Sequence, residues 1–136
     1  MPFVVDASVA VAWALKDEDH PDAIAAIERL MTDQAFVPIL WWYELRNVLV
    51  VNERRGRIAP AETELFLRDL ASVKIIFDTA TDQAPVLALA WRHRLTFYDA
   101  AYLELALRLP APLATLDGAL AAAARAENVP GLAQSK

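Results

Sequence analysis

The chemistry that this sequence most directly suggests rests on four carboxylates: Asp6, Glu44, Asp99 and Asp117. Carboxylate oxygens are the ligands that the hard cations Mg²⁺ and Mn²⁺ prefer in proteins. No lysine or arginine is adjacent to Asp6, Asp99 or Asp117, so a divalent ion is the natural counter-charge if the acids converge. A bound ion activates water to attack a phosphodiester, and a second ion about 3.5–4 Å away stabilises the leaving oxygen. We therefore expect phosphodiester hydrolysis with one or two ions.

Two of these acids follow short apolar segments that are typical of buried strands. Asp6 ends the run Phe3-Val4-Val5, and Asp117 comes shortly after a segment over residues 112–115. In an open sheet of parallel strands, ligands bind beyond the carboxyl ends of the strands. Both acids are therefore expected at one rim of the sheet.

The other two acids lie near the starts of predicted helices. Asp99 is in the first turn of a helix over residues 98–109, and Glu44 is in the second turn of a helix that begins at residue 40. Asn47 follows Glu44 by three residues, which predicts that both polar groups share one otherwise apolar face with Val48. Polar groups on such a face need partners, because burying them alone is unfavourable.

Short apolar segments alternate with longer helical segments along the chain. Strands are predicted over residues 3–5, 36–38, 73–77 and 112–115. Helices are predicted over residues 7–15, 21–31, 40–55, 60–72, 79–94, 98–109 and 118–128. This alternation predicts one α/β domain over residues 1–136, with a parallel sheet of four or five strands covered on both faces. Residues 129–136 are expected to form a C-terminal tail.

Each member of the quartet also has a purely structural interpretation. Asp6 and Asp117 precede helices and can serve as N-caps. Thr96 and Asp99 have the spacing of a capping box. Glu44 can face solvent or form a buried hydrogen bond.

Other acids compete with the quartet on spacing alone. Asp78 ends a predicted strand in the same manner as Asp6, and Asp82 has capping-box spacing with Thr79. The acidic run over residues 17–19 is interpreted as a solvated turn. Spacing does not exclude Asp78 from the site.

Two hydroxyl side chains lie close to the acids in sequence. Ser8 follows Asp6 by two residues, and Thr115 precedes Asp117 by two. Each can position a water or a phosphate, and Asn47 is a further supporting candidate. The alternative for both hydroxyls is a local hydrogen bond in a turn or a cap.

Composition excludes several other kinds of site. The chain has no cysteine, two histidines and three glycines, which argues against thiol chemistry, a histidine-rich metal site and a phosphate-binding glycine loop. The net charge of −5 argues against nucleic-acid binding unless several acids bind metal. No apolar run approaches the roughly 20 residues of a membrane helix, and no signal peptide is recognised, so a cytoplasmic protein is expected.

Four segments in order resemble the motifs of PIN-domain toxins of the VapC type. They are residues 4–11 around Asp6, residues 37–47 around Glu44, residues 96–102 around Asp99, and residues 112–117 ending at Asp117. The resemblance covers nearly the whole chain. It implies a three-layer α/β/α PIN fold and an endoribonuclease that depends on Mg²⁺ or Mn²⁺. Some members carry a further acid after the fourth motif, where residues 118–121 of this chain have none.

By position, the resemblance assigns the metal to Asp6, Glu44, Asp99 and Asp117, and it matches no family acid to Asp78 or Asp82. It also implies a cognate antitoxin and a homodimer. Aromatic contacts to these partners are proposed for Trp13, Trp41, Trp42 and Tyr43, of which we assign at least two to the core. RNA-backbone contacts are proposed for Arg54, Arg55, Arg57, Arg92 and Arg94, with ordinary helix-end charges as the alternative. His20 and His93 are assigned to the surface.

Three other functions are compatible with parts of this pattern. A phospho-acceptor receiver domain has this length and an acidic pocket, but it needs a late lysine, and only Lys74 and Lys136 follow Lys16. A PIN-fold protein that binds partners without cutting RNA is a second alternative. A housekeeping nuclease of RNA processing is a third, and it shares the chemistry of the toxin.

Overall fold

The sheet has four short parallel strands. A computed structural model describes residues 1–16 and 20–132 of the chain. The strands are β1 (Phe3–Val5), β2 (Ala35–Pro38), β3 (Ile75–Asp78) and β4 (Leu113–Ala114). Their order across the sheet is β3-β2-β1-β4, and every pairing is parallel. The two strands that precede Asp6 and Asp117 are therefore neighbours, with Val5 opposite Ala114.

In the described part of the chain, six helices connect these strands and a seventh follows β4. They are α1 (Ala7–Leu15), α2 (Pro21–Arg29), α3 (Leu40–Arg54), α4 (Pro60–Leu70), α5 (Gln83–His93), α6 (Phe97–Arg108) and α7 (Gly118–Ala126). Right-handed crossovers place α1 to α4 on one face of the sheet and α5 and α6 on the other. The contacts agree, because α1 packs on α2 and α3, whereas α6 packs on α5 and α7. The predicted three-layer α/β/α fold is confirmed. None of the described helices combines the length and the apolar character that crossing a membrane requires.

The centre of the core is formed by β1 and α6. All three residues of β1 are fully buried, as expected for an apolar strand with neighbours on both edges. Helix α6 contacts β1, β2 and β4, and its residues from Ala100 to Ala106 are all buried. Because α6 begins at the carboxyl ends of these strands, its first turn faces the same rim as Asp6.

The predicted element boundaries differ from the observed ones in two instructive places. Helix α5 begins at Gln83 rather than at residue 79, and Asp82 makes no side-chain cap bond, so the capping box with Thr79 is wrong. The preceding residues form a turn in which the Thr81 hydroxyl donates to Asp78. Helix α2 ends at Arg29, because the backbone amides of residues 32 and 33 turn back to its carbonyl.

The chain after α7 packs against the core as far as it is described. Val129 and Leu132 are buried, and the Leu113 amide donates to the Pro130 carbonyl at 3.0 Å. Residues 129–132 of the predicted tail are thus attached to β4. Residues 133–136 and the acidic run over residues 17–19 lie outside the described residues.

The aromatic residues divide between core and surface. Trp41 is buried, and the half-buried Trp13 donates through Nε1 to the Ala23 carbonyl at 2.8 Å. Trp42 and Tyr43 are exposed on α3. The prediction that at least two of these four aromatic residues belong to the core is confirmed.

A buried acid on α6 is balanced by a single arginine. Glu104 is 6% exposed and accepts two hydrogen bonds from Arg108, which also binds Asp78 at the end of β3. Removing one partner of a buried ion pair leaves an uncompensated charge. We predict that Arg108→Ala lowers the free energy of unfolding by about 2–3 kcal/mol.

Urea denaturation at pH 7 measures this change. The matched control is Arg68→Ala on α4, an exposed arginine that should change the stability by less than about 0.5 kcal/mol. A loss no larger than that of the control would show that Arg108 does not balance Glu104.

Candidate active site

All four acids of the quartet line one cleft at the carboxyl-end rim of the sheet. The cleft has a volume of about 370 Å³. It is lined by Asp6, Ala7, Ser8, Val11, Glu44, Val48, Asp99, Tyr102 and Asp117. None of these lining residues is basic. The cleft therefore gathers acids from α1, α3, α6 and α7 without a compensating cationic side chain among the described residues that line it.

Asp6 is the most firmly held of the four acids. It is 5% exposed and caps α1, where its Oδ1 accepts from the Val9 amide at 3.2 Å. The same oxygen accepts from the Ser8 hydroxyl at 2.6 Å, and Oδ2 accepts from the Thr115 hydroxyl. Three donors from two elements thus fix the orientation of this carboxylate.

The hydroxyls of Ser8 and Thr115 connect Asp6 to the loop that follows β4. Ser8 Oγ accepts from the Leu116 amide at 2.9 Å, and Thr115 Oγ1 accepts from the Asp117 amide at 3.0 Å. A hydroxyl has one proton to donate, and both give it to Asp6. As placed, these side chains orient Asp6. The local bonds that the sequence left as the alternative are present, from Ser8 to Asp6 and from the Asp117 amide to Thr115. Long-range bonds between residues 6–8 and residues 115–116 accompany them.

Glu44 is positioned by a residue that the sequence analysis did not single out. The buried Tyr102 hydroxyl donates to Glu44 Oε1 at 2.6 Å and joins α3 to α6 across the cleft. Tyr102 follows Asp99 by three residues on α6. Residues at this spacing share one face of a helix, so the sequence could have predicted that Tyr102 faces the cleft together with Asp99. Asn47, predicted to share this face, is exposed and does not line the cleft. Val48 lies there instead.

Asp99 and Asp117 occupy the starts of two helices. Asp99 is in the first turn of α6, where its amide donates to Thr96 Oγ1 at 3.1 Å. Asp117 caps α7 and accepts from the Leu120 amide at 2.8 Å. The capping roles that the sequence suggested are therefore present, and they are compatible with a place in the cleft.

Crowding of the acids alters their protonation. Burial raises the pKa of Asp6, and the charge of Asp99 adds to this effect despite the hydrogen bonds from Ser8 and Thr115. Burial also raises the pKa of Glu44, with Asp99 and Asp6 contributing. The pKa of Asp99 rises through burial and through the charge of Asp117. Such mutual repulsion makes the cleft attractive to a cation.

The arrangement shown does not bring three acids around a single point. Within residues 1–16 and 20–132, no group of three or more acidic or histidine side chains is placed to hold one ion. Tyr102 holds Glu44, and the Leu120 amide holds Asp117, on different walls of the cleft. The donor set consists only of oxygens and suits a hard divalent cation in its chemistry. Sharing one ion requires rotation of these side chains.

The competing acids lie elsewhere. Both oxygens of Asp78 accept from Arg108, at 3.0 and 2.7 Å, and Asp78 does not line the cleft. This ion pair lowers the pKa of Asp78 and gives it a structural role. Asp82 is exposed at the start of α5.

All five basic residues predicted to contact RNA are outside the cleft. Arg54, Arg55, Arg57, Arg92 and Arg94 are all exposed, and none lines it. Arg92 pairs with Glu127 at 2.8 Å. His93 also contacts Glu127, at 2.6 Å, so its assignment as a plain surface residue was wrong.

Comparisons with known proteins agree on one family. The model of the PIN domain family matches residues 3–126. Ribonuclease VapC3 of Pyrobaculum aerophilum is 33% identical over 125 residues, which cover 89% of this chain and 93% of that protein. The crystal structure of PAE2754 from Pyrobaculum aerophilum matches with a TM-score of 0.69 at 30% identity, covering 90% of this chain and 79% of the other.

The raised pKa of Glu44 leads to a prediction about the stability of the metal-free protein. Glu44→Gln keeps an oxygen acceptor for Tyr102 but removes the charge that burial and two neighbouring acids disfavour. We expect this variant to raise Tm by a few degrees at pH 8 in the presence of a chelator. The difference in Tm should vanish below about pH 4. There the side chain at position 44 is uncharged in both the variant and the unmodified chain, because the folded-state pKa of Glu44 is raised above its ordinary value of 4.5.

Thermal denaturation across this pH range is the measurement, with Glu64→Gln on the exposed side of α4 as the matched control. An unchanged or lower Tm for Glu44→Gln at pH 8 would show that burial and the neighbouring acids do not disfavour the charge of Glu44.

Proposed function

The chain belongs to the PIN domain family, and from that premise we propose that it is a metal-dependent endoribonuclease of the VapC type. The observation that carries the proposal is the convergence of four carboxylates on one cleft without a basic residue among its lining. The named activity of the VapC3 relative supports RNA as the substrate. An RNA substrate also favours a cytoplasmic location.

We assign the metal to Asp6, Glu44, Asp99 and Asp117. Bound Mg²⁺ or Mn²⁺, as one or two ions, supplies an activated water and stabilises charge on the phosphate oxygens. Asp6 contributes a carboxylate whose orientation Ser8 and Thr115 already fix, so little freedom is lost when it binds an ion. Asp99 and Asp117 lie at the open side of the cleft, where side-chain rotation adjusts the ligand set.

Two groups near Glu44 have different relations to this site. Tyr102 holds Glu44 on one wall, and its buried hydroxyl stays protonated because burial and the charge of Glu44 raise its pKa. Arg46, two residues after Glu44, stacks over the Trp42 ring at 3.9 Å and does not line the cleft. Because no described residue that lines the cleft is basic, we assign the positive charge that the carboxylates need to a bound cation.

The proposed partners follow from the same family. We propose that a cognate antitoxin blocks the cleft and that the chain forms a homodimer. The exposed Trp42 on α3, two residues before Glu44, offers apolar surface for such contacts. The biological role is then that of a toxin in a toxin–antitoxin pair.

We predict that RNA cleavage requires Mg²⁺ or Mn²⁺ and that Asp99→Asn lowers its rate at least about 100-fold, because a metal ligand is lost. A gel assay on a labelled RNA, with and without chelator, measures the rate. The matched control is Asp82→Asn, an exposed acid outside the cleft, which should cleave like the unmodified chain. Cleavage that persists in chelator or in Asp99→Asn would refute the assignment.

The antitoxin proposal has a separate test. The product of a short reading frame next to this gene should abolish cleavage at an equimolar ratio and co-elute with the chain. Size-exclusion chromatography combined with the cleavage assay measures both effects. Full activity in the presence of an equimolar amount of that product would argue for a nuclease outside a toxin–antitoxin pair.

A further inference from the structure

One side of α3 carries exposed residues that the proposed catalysis does not use. Tyr43, Asn47, Val50 and Arg54 are spaced by four, three and four residues, which places them on one face of the helix. All four are exposed, and Tyr43 is 67% accessible. Within the described residues the Tyr43 hydroxyl has no hydrogen-bond partner, and its ring lies edge to face with Trp42, with 5.0 Å between the centroids.

This face runs beside the cleft. Glu44 and Val48, which line the cleft, directly follow Tyr43 and Asn47 in sequence, so the two stripes are adjacent on the helix surface. None of the four residues is acidic. The two acids of α3 lie on either side of this face: Glu44 at its cleft edge, and Glu53, three residues after Val50, at its other edge. The face between them offers neutral groups and the Arg54 guanidinium to an anion, in a chain whose net charge is −5.

The chemistry of the face changes along its length. An aromatic ring lies next to the cleft, an amide follows, and a guanidinium lies about 16 Å farther along the helix axis. Aromatic rings stack on unpaired bases, and arginine pairs with backbone phosphate. A ring used in this way needs a base that is free of its own helix, which favours single-stranded over duplex RNA.

Tyr98 repeats the arrangement on α6. It is 60% exposed and directly precedes Asp99, as Tyr43 precedes Glu44. Two of the acids in the cleft are therefore each preceded by an exposed tyrosine, on helices that meet through the Glu44–Tyr102 hydrogen bond. Each tyrosine is thus the sequence neighbour of an acid that lines the cleft.

Resting on the proposed nuclease function, we infer that this face of α3 is the path of single-stranded RNA into the cleft. Tyr43 stacks on a base near the scissile phosphate, and Arg54 pairs with a phosphate farther along the strand. Tyr98 stacks on a base at the other side of the cleft. These residues position the RNA and take no part in the chemical step.

The test measures RNA binding apart from cleavage, in the Asp99→Asn background. Fluorescence anisotropy with a labelled, unstructured 12-nucleotide RNA gives Kd, and the same strand in a duplex is the comparison. We expect tighter binding of the single strand. Tyr43→Ala should weaken that binding about tenfold, whereas Tyr43→Phe, which keeps the ring, should bind normally.

Two further variants sharpen the result. Arg54→Gln should weaken binding and reduce the slope of log K against log salt by about 0.7, the value for one phosphate contact on a single strand. Trp91→Ala is the matched control, because Trp91 is 75% exposed on α5, a helix that contributes no residue to the cleft. It should bind RNA normally.

Two outcomes of the binding and self-association measurements would overturn the inference. One is unchanged RNA binding by Tyr43→Ala, and the other is loss of self-association in that variant by light scattering, which would assign the face to a second copy of the chain. Failure of the nuclease proposal is distinguishable, because the unmodified chain would then bind RNA through Tyr43 without cutting it. Cleavage with an unchanged KM in Tyr43→Ala would defeat the RNA path while leaving the nuclease intact.

Discussion

The physical constraint on this structure is the burial of several carboxylates close together in one cleft. The fold brings Asp6, Glu44, Asp99 and Asp117 to one cleft, and the pKa of three of them rises through burial and through one another's charge. A fold gains no stability from such crowding. A bound cation would offset the unfavourable charge of these carboxylates, and such a cation is the basis of the proposed hydrolysis.

The rest of the structure holds these acids in place against their repulsion. Pairing of β1 with β4 puts Asp6 next to the loop that carries Asp117, and the hydroxyls of Ser8 and Thr115 bridge the two segments. The hydrogen bond from Tyr102 to Glu44 joins α3 to α6 in the same way. These bonds explain why the acids lie on separate walls of the cleft. Binding of one ion by several of these acids would then require their side chains to rotate toward it.

Much of the fold was predictable from the sequence, because its strongest signals are local. The run Phe3-Val4-Val5 and the glycine that follows the end of α3 mark their elements within one or two residues. The predicted capping box of Thr79 and Asp82 was wrong because the pattern could not reveal the turn held by Asp78 and Thr81. Resemblance of the motifs to a family, rather than spacing, separated the quartet from Asp78.

The contacts that could not be predicted, in the site and elsewhere in the fold, are long-range contacts. No local pattern shows that Arg108 would bind Asp78, a residue 30 positions away, or that Tyr102 would reach Glu44, 58 positions away. The sequence analysis placed Asn47 on the same face as Glu44, but Asn47 is exposed. Helical spacing shows which residues share a face, but it does not show how many of them reach the cleft. Tertiary packing decides which residue of that face, here Val48, reaches the cleft.

The most direct test of the central claim is anomalous diffraction from crystals of the chain soaked in Mn²⁺. The account predicts a peak in the cleft, with carboxylate oxygens of Asp6 and Asp99 about 2.1 Å from the ion and at least one further acid of the quartet rotated toward it. A cleft without a peak at a saturating Mn²⁺ concentration, or an ion bound only elsewhere on the surface, would contradict it.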